Sequence, residues 1–373
     1  MNRIIVVGGG YAGVSLLDKL KDNPQVELVL IDKSKKHILQ THIHKYLSGY
    51  YDEDDITFNL EKYCEKNGIE FICDKVIDIR YDQDSLIAES GQIYFYDYIV
   101  VSTGSKSIFP NQIENVNKYT KDIKDINNLN YYRDKFFKMI ESKEKNSILV
   151  VGGGVSGLQI ACEYAYHINK NGLNKNIEVT IVEGMSTLLP GMNKYLIQKA
   201  RQRCEELGVK LILNLFASKI YEDRLILSNG DEVPYDMLLF VIGAIGNPIN
   251  SVDEKIKLNK REQIVVDNYY KIGGFDNAFA MGDIVEANDI KAQSPQAPTA
   301  QGARMQAELI AKNIFRSINY DPLLINNISN KGILIDLGGP NCAIGSLFNF
   351  NISGKPALWL KKLIYSLHAK KFN

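Results

Sequence analysis

The chain opens on apolar residues that end abruptly in glycine. Ile4, Ile5, Val6 and Val7, four β-branched residues, lead into Gly8, Gly10 and Gly13 at the G-x-G-x-x-G spacing, and the VSLLDKL that follows has helical periodicity. Such a run predicts a buried parallel strand, a tight turn and a helix. The next apolar run, VELVLIDK, predicts a second strand that ends at Asp32, with Lys33 after it. The same arrangement then recurs. SILVVGGGVSGLQIACEYA carries Gly152, Gly154, Val155, Ser156 and Gly157, and IEVTIVEG ends its strand at Glu183.

After each unit comes a strand that runs into a glycine turn. Residues 96–105, YDYIVVSTGS, deliver Thr103 and Gly104; residues 235–248, YDMLLFVIGAIGNP, deliver Gly243. Either alone is an ordinary strand-to-loop junction, but the repetition predicts a paired role. The chemistry implied by the units is dinucleotide binding. The first glycine of each allows the turn, the second lets backbone approach a pyrophosphate, and the third lets helix pack on strand. The helix N-terminus adds free N–H groups and a positive dipole end, and Asp32 or Glu183 accepts from a ribose diol. At Glu183 the next residues are Gly184 and Met185, with no arginine, which favours NADH over NADPH.

Composition narrows the classes further. At 373 residues and 45% hydrophobic, the chain can build two or three domains. Its 44 basic and 44 acidic residues cancel, which argues against a nucleic-acid partner. The start lacks the pattern of a secretory leader, so residence in the cytoplasm is expected. The longest apolar run, Met237 to Gly246, is about half of the ~20 residues a membrane-spanning helix needs. Five scattered cysteines, Cys64, Cys73, Cys162, Cys204 and Cys342, do not form a disulfide framework. His42 and His44 offer two ligands where a structural zinc needs four, so no metal is expected.

The order GGGYAG, Asp32, STGS, GGGVSG, Glu183, VIGAIGNP and NAFAMGD resembles the two-dinucleotide-binding flavoprotein superfamily, and the resemblance covers nearly the whole chain. It implies an α/β fold with two Rossmann-like domains and a small membrane-facing C-terminal segment. The FAD domain would be discontinuous, residues 1–110 and 250–320, with an NADH domain at 111–249 inserted in it and the C-terminal segment at 321–373. Gly8, Gly10, Tyr11, Ala12, Gly13, Asp32, Lys33, Thr103, Gly104, Gly282, Asp283, Ala300 and Gln301 would then contact FAD. Gly152, Gly154, Val155, Ser156, Gly157, Glu183 and Gly243 would contact NADH. On physical grounds alone a helix or turn cap is the alternative role for Asp283.

Within the superfamily, residues 36–56, VTIVEGMSTLLPGMN and APTAQGARMQA resemble the type II NADH:quinone oxidoreductases. The resemblance implies hydride transfer from NADH to flavin and two electrons onward to quinone, with Gln301, Gln159 and Glu163 as candidate catalytic residues. The absence of cysteine from residues 33–50 argues against a disulfide reductase. A sulfide:quinone reductase, through Cys342, and a redox-sensing flavoprotein of low turnover are the alternatives. Two departures stand out. Relatives usually carry glutamate where this chain has Gln159, and a second glutamine where it has Met305, with Gln306 one residue later. At the helix entrance, Pro298 suits a first-turn position and Thr299 with Ala300 keeps the approach narrow.

The chain ends in PALWLKKLIYSLHAKKFN. Leu360, Leu363, Ile364 and Leu367 at helical spacing, the rings of Trp359 and Tyr365, and Lys361, Lys362, Lys370 and Lys371 predict a helix lying on an anionic membrane. Packing of the same stripe on the protein body is the competing reading. On the first reading the protein sits on the inner face of the cell membrane, and deleting residues 355–373 releases it while sparing reduction of a water-soluble quinone. A homodimer is left open.

Overall fold

The computed structural model describes the chain except residues 143, 174, 252, 290–293, 297, 298, 330, 349, 370 and 373, and except the side chains of 294, 295, 365, 367 and 368. The first-turn role expected of Pro298 and the surface charge expected of Lys370 therefore lie outside the described residues, as do the side chains of Tyr365 and Leu367.

Two parallel sheets carry the fold, each grown from one glycine unit. In the first, β1 (Asn2–Val7) lies between β2 (Val26–Asp32) and β4 (Tyr98–Val101), with β3 (Glu70–Cys73) beyond β2. Val6 sits opposite Leu30 on one side and Val100 on the other. Ile4, Ile5 and Val6 are fully buried, as a strand covered on both faces requires. Helix α1 (Tyr11–Leu20) supplies the crossover from β1 to β2 and buries Val14, Leu16, Leu17 and Leu20. Each such side chain removes from water an area worth roughly 1.5–3 kcal/mol.

The second sheet repeats the design. β5 (Asn146–Val151) lies between β6 (Ile177–Glu183) and β8 (Met237–Phe240), with β7 (Lys210–Leu213) beyond β6. Its crossover helix, α4 (Val155–Lys170), buries the run Gly157–Ala165. The chain then returns to the first sheet, where β9 (Ala278–Ala280) pairs with β4 in parallel. The first sheet is thus completed by a distant strand, whereas the second uses contiguous sequence.

Three features join the sheets. Ser105–Ser107, just after STG, pairs antiparallel with Ala244–Gly246, just after VIG, so the repeated glycine turns meet as a two-stranded ribbon. Helix α2 (Ile43–Leu47) is buried along its whole length, and Ile43, Tyr46 and Leu47 belong to the core formed by β5, β6 and α4. Helix α3 (Ile126–Ser142) fixes it there, because Arg133 Nη1 donates to the Tyr46 carbonyl at 2.9 Å. Finally, after α5 (Ala300–Ile318), an antiparallel sheet of β10 (Gly332–Asp336), β11 (Ala343–Leu347) and β12 (Phe350–Ser353) leads into α6 (Lys355–Ala369). Among the described residues no helix is long and apolar enough to cross a membrane.

Candidate functional site

The two glycine turns are close copies at atomic detail. Gly8 has φ +106°, and a Cβ there would stand 2.5 Å from the Ser102 carbonyl oxygen; Gly152 has φ +116° and would meet Val241 O at the same distance. A Cβ at Gly13 would lie 2.0 Å from Gly8 O, and one at Gly157 would lie 1.9 Å from Gly152 O. Gly10 and Gly154 face open space with nothing within 4 Å, and each caps its helix without a side-chain bond. The first and third glycines are therefore demanded by the fold, and the second leaves room for a ligand at a bare helix N-terminus. We predict that Gly157→Ala destabilises the second sheet by several kcal/mol. Gly154→Ala should keep the wild-type melting temperature and weaken NADH binding at least tenfold. Melting curves and titration calorimetry would separate the two, and equal melting losses would refute the distinction.

The carboxylates match as well. Asp32 accepts from the Gly9 N–H at 2.6 Å and from the Ser34 N–H at 2.8 Å, and Glu183 accepts from Gly153 at 2.6 Å and Met185 at 2.8 Å. Each acid thus holds its own glycine loop in place beside the turn. Burial raises the Asp32 pKa despite these donors. Around the first turn, Tyr11 bonds Thr41 Oγ1 at 2.7 Å, Lys33 is exposed, and Ala12 lies directly beneath Gly282. The Thr103 hydroxyl is buried with no hydrogen-bond partner, next to Gly104 at φ +68°. An orphan hydroxyl beside an open glycine cradle is what a site shaped for a polar ligand offers. Around the second turn, Val155 is half-buried, and Ser156 and Gly243 are exposed at its mouth.

Gly282 and Asp283 form a turn in which Asp283 caps no helix. Its carboxylate accepts from Ser105 Oγ at 2.8 Å, its carbonyl accepts from Gln263 at 3.0 Å, and Lys124 lies 4.0 Å away and donates to Ser105. Burial lowers the Lys124 pKa. Ser105, Lys124 and Gln263 escaped the sequence reading, because only the fold brings them to Asp283. Thr299 proves to be the N-cap of α5, accepting from the Gly302 N–H at 3.0 Å; Ala300 is the first helical residue and Gln301 the second, half-buried. Met305 packs on the first core, and Gln306 turns inward to accept from the Gly282 N–H at 2.7 Å. An amide does approach the turn, one residue later than the resemblance suggests.

Where α2, α4, β10 and α6 meet, a buried polar cluster forms. His44 Nε2–H donates to Asp336 Oδ2 at 2.9 Å, and Lys361 Nζ lies 2.8 Å from the same oxygen. Gln159, with its oxygen turned towards them, accepts from Lys361 Nζ at 2.9 Å and the Asp336 N–H at 3.2 Å. Glu163 is ion-paired with Lys45, which also donates to the Gly339 carbonyl at 3.0 Å, and its second oxygen accepts from the Gly339 N–H. Burial raises the Glu163 pKa. Burial also lowers His44 to about 4, against the pull of Asp336, and holds His37, whose Nδ1–H donates to Gly9 O, at about 4. Burial pushes the Asp336 carboxyl upward, but Lys361 and His44 outweigh it and hold the group well below the usual carboxylate range. Lys361, read from sequence as a surface charge, is 3% exposed. The register of the terminal helix puts Ala357, Leu358 and Lys361 inward and Trp359, Lys362, Leu363 and Ile364 outward.

All five cysteines are free. Cys162 and Cys204 face one another inside the core, and burial pushes the Cys342 thiol above its ordinary range, away from thiolate reactivity. Among the described residues no group of three potential ligands could hold a metal.

The chain is 28% identical to a type II NADH:quinone oxidoreductase of Staphylococcus aureus, an alignment spanning 97% of this chain and 94% of the relative. Its fold superposes on the sulfide:quinone oxidoreductase of Aquifex aeolicus with a TM-score of 0.87 at 19% identity, covering 100% of this chain and 91% of the other. It superposes on NDH2 of Plasmodium falciparum, solved in complex with NADH, with a TM-score of 0.83 at 18% identity, covering 100% and 96%. At these identities the two structures speak for the fold alone. Residues 2–307 match a single family description along their whole length, and the chain belongs to the pyridine nucleotide-disulphide oxidoreductases.

Proposed function

We propose that the protein is an FAD-dependent NADH:quinone oxidoreductase. The observation that carries this is the duplicated cradle, an open second glycine at a bare helix N-terminus with a carboxylate-braced loop, in a chain similar to the Staphylococcus aureus enzyme. FAD belongs at the first cradle, with α1 facing its pyrophosphate, Asp32 its ribose, and Thr103 and the Ser105–Asp283–Lys124 set the remainder. NADH belongs at the second, with α4 and Glu183 in the same roles. The flavin supplies two-electron chemistry between a hydride donor and a quinone. The protein holds the reactants, with Gln301 at the quinone boundary and the α5 N-terminus offering positive potential to the flavin. Gln159 and Glu163 shape the floor of the junction, Glu163 by holding Lys45 and hence α2. The domain limits 1–110 with 250–320, 111–249 and 321–373 fit this division of labour.

The outer face of the C-terminal region supports a membrane-borne quinone. Phe348 and Phe350 are 69% and 76% exposed, Trp359 is 66% exposed, and Leu363, Ile364 and Lys362 share its side of α6. An apolar face with aromatic rings and a cation suits the headgroup region of the inner leaflet. The purified yellow protein, mixed anaerobically with NADH, should bleach within seconds and recover its colour with a quinone analogue. Bleaching by sulfide and not by NADH would reject this function in favour of a sulfide-oxidising one, and bleaching by neither would leave a sensor.

A further inference from the structure

Resting on that function, we propose that Lys371 and Phe372, in the segment that follows α6, form a latch that holds the FAD loop in place, with His37 as the positioning residue through which it acts. The two glycine loops are braced alike except at one point. In each, the N–H of the middle glycine, Gly9 or Gly153, is held by the strand-ending acid. The Gly153 carbonyl accepts from a backbone N–H of its own unit, that of Leu189, at 2.9 Å. The Gly9 carbonyl accepts instead from a side chain, the buried His37 imidazole, at 2.8 Å. A backbone donor is fixed by the path of the chain, whereas an imidazole stays aimed only while its ring is packed.

The segment after α6 supplies that packing. The Phe372 ring lies 5.0 Å from the His37 ring and stacks at 4.4 Å on Phe58, the cross-strand neighbour of His37, with Tyr63 5.3 Å away. Tyr11, the first residue of α1, meets the imidazole edge-on at 5.3 Å. Lys371 grips α1 directly, its Nζ 3.1 Å from Asp18 Oδ2 and 3.5 Å from Ser15 Oγ, which lie one helical turn apart. The Phe372 N–H donates to the Ala369 carbonyl at 3.1 Å, so the latch is continuous with α6. That helix is therefore anchored at both ends, by Ala357 and Leu358 against the C-terminal sheet and by Phe372 against the first core. Its 15 residues carry the exposed apolar side chains outward and span roughly 22 Å between the two anchors.

Phe372→Ala should release FAD from the diluted holoprotein about tenfold faster, the scale of one lost aromatic pair, read as the gain of free-flavin fluorescence. Affinity for NAD+, which occupies the second cradle without reducing the flavin, should stay unchanged by calorimetry, and Phe372→Tyr should keep FAD as the wild type does. Because the latch acts through His37, His37→Leu should release FAD at least as fast, and adding Phe372→Ala to it should change the rate by less than about twofold. In the wild type, NMR should show nuclear Overhauser contact between the His37 and Phe372 rings, a reading that depends on no variant folding. FAD release from Phe372→Ala at the wild-type rate, a matching loss of NAD+ affinity, additive effects of the two substitutions, or no ring contact in the wild type would each overturn the latch. A wild type that binds no FAD would overturn the proposed function instead, and the latch with it.

Discussion

Deleting residues 355–373 is expected to inactivate the protein as well as release it from membranes, the reverse of what the amphipathic pattern alone suggests for a soluble quinone. The deletion removes Lys361, the cation that pairs with the Asp336 carboxylate, buried at 5% exposure in the intact chain and also bonded to His44. Breaking a buried pair from one side costs about 3–5 kcal/mol. It also strips Ala357 and Leu358 from Ala343, unties Lys371 from Asp18 at 3.1 Å, and removes the Phe372 ring from its stack on Phe58 at 4.4 Å. Against a total stability of roughly 5–15 kcal/mol, the loss is large. Changing the outward residues Trp359, Leu363 and Ile364 together to serine should abolish membrane fractionation and leave the melting temperature within a few degrees. Melting curves and soluble-quinone assays of both proteins decide the matter. A truncated protein that melts and turns over like the wild type would show that α6 is only an anchor.

Mild acid is the second large perturbation. Burial holds His37 and His44 neutral at pKa values of about 4 and His42 at about 3, whereas in the unfolded chain they titrate near the ordinary 6.5. Below pH 6.5 the unfolded state therefore binds more protons than the native state, and stability falls as pH falls. The contribution is complete above 6.5 and is lost progressively down to about 4 for His37 and His44 and about 3 for His42. Each histidine adds a slope approaching ~1.4 kcal/mol per pH unit in that window, so three give about 4.2. Asp336 acts in the same direction but at lower pH, because its depressed pKa matters only below the ordinary carboxylate value of 3.8. Urea midpoints at pH 7.5, 6 and 5 should drop steeply between the last two. His37→Gln, which retains a donor for Gly9 O, should flatten the slope by about a third. Midpoints that stay level from pH 7.5 to 5 would show that the histidines are not buried neutral.

Both predictions rest on residues that the sequence presents as unremarkable. Lys361 belongs to a Lys-Lys pair in an amphipathic run, and periodicity cannot say which side of such a helix meets the body. The packing of Ala357 and Leu358 decides it, and Lys361 follows them inward one turn later. His44 drew notice as half of an HxH pair, which posed a metal question; its partner, Asp336, lies 292 residues away. Met305 looked like a missing amide. Helical register instead turns Gln306, one residue later, towards Gly282, from whose N–H it accepts.

The sequence by itself determined the two cradles. A branched apolar run, three glycines at fixed spacing and a strand-ending acid are local features, and the packing of each helix on its own turn follows from the contact of Gly13 with Gly8 and of Gly157 with Gly152. It also determined, through repetition, that the turns at Gly104 and Gly243 belong together, which the ribbon of Ser105–Ser107 and Ala244–Gly246 makes physical. Only the tertiary structure decided what stands between the cradles. The Ser105–Asp283–Lys124 set and the His44–Asp336–Lys361 set each draw on segments far apart in the chain. Such contacts depend on how sheets and helices dock, which no local pattern encodes, and burial then fixes the charge states that give those side chains their chemistry.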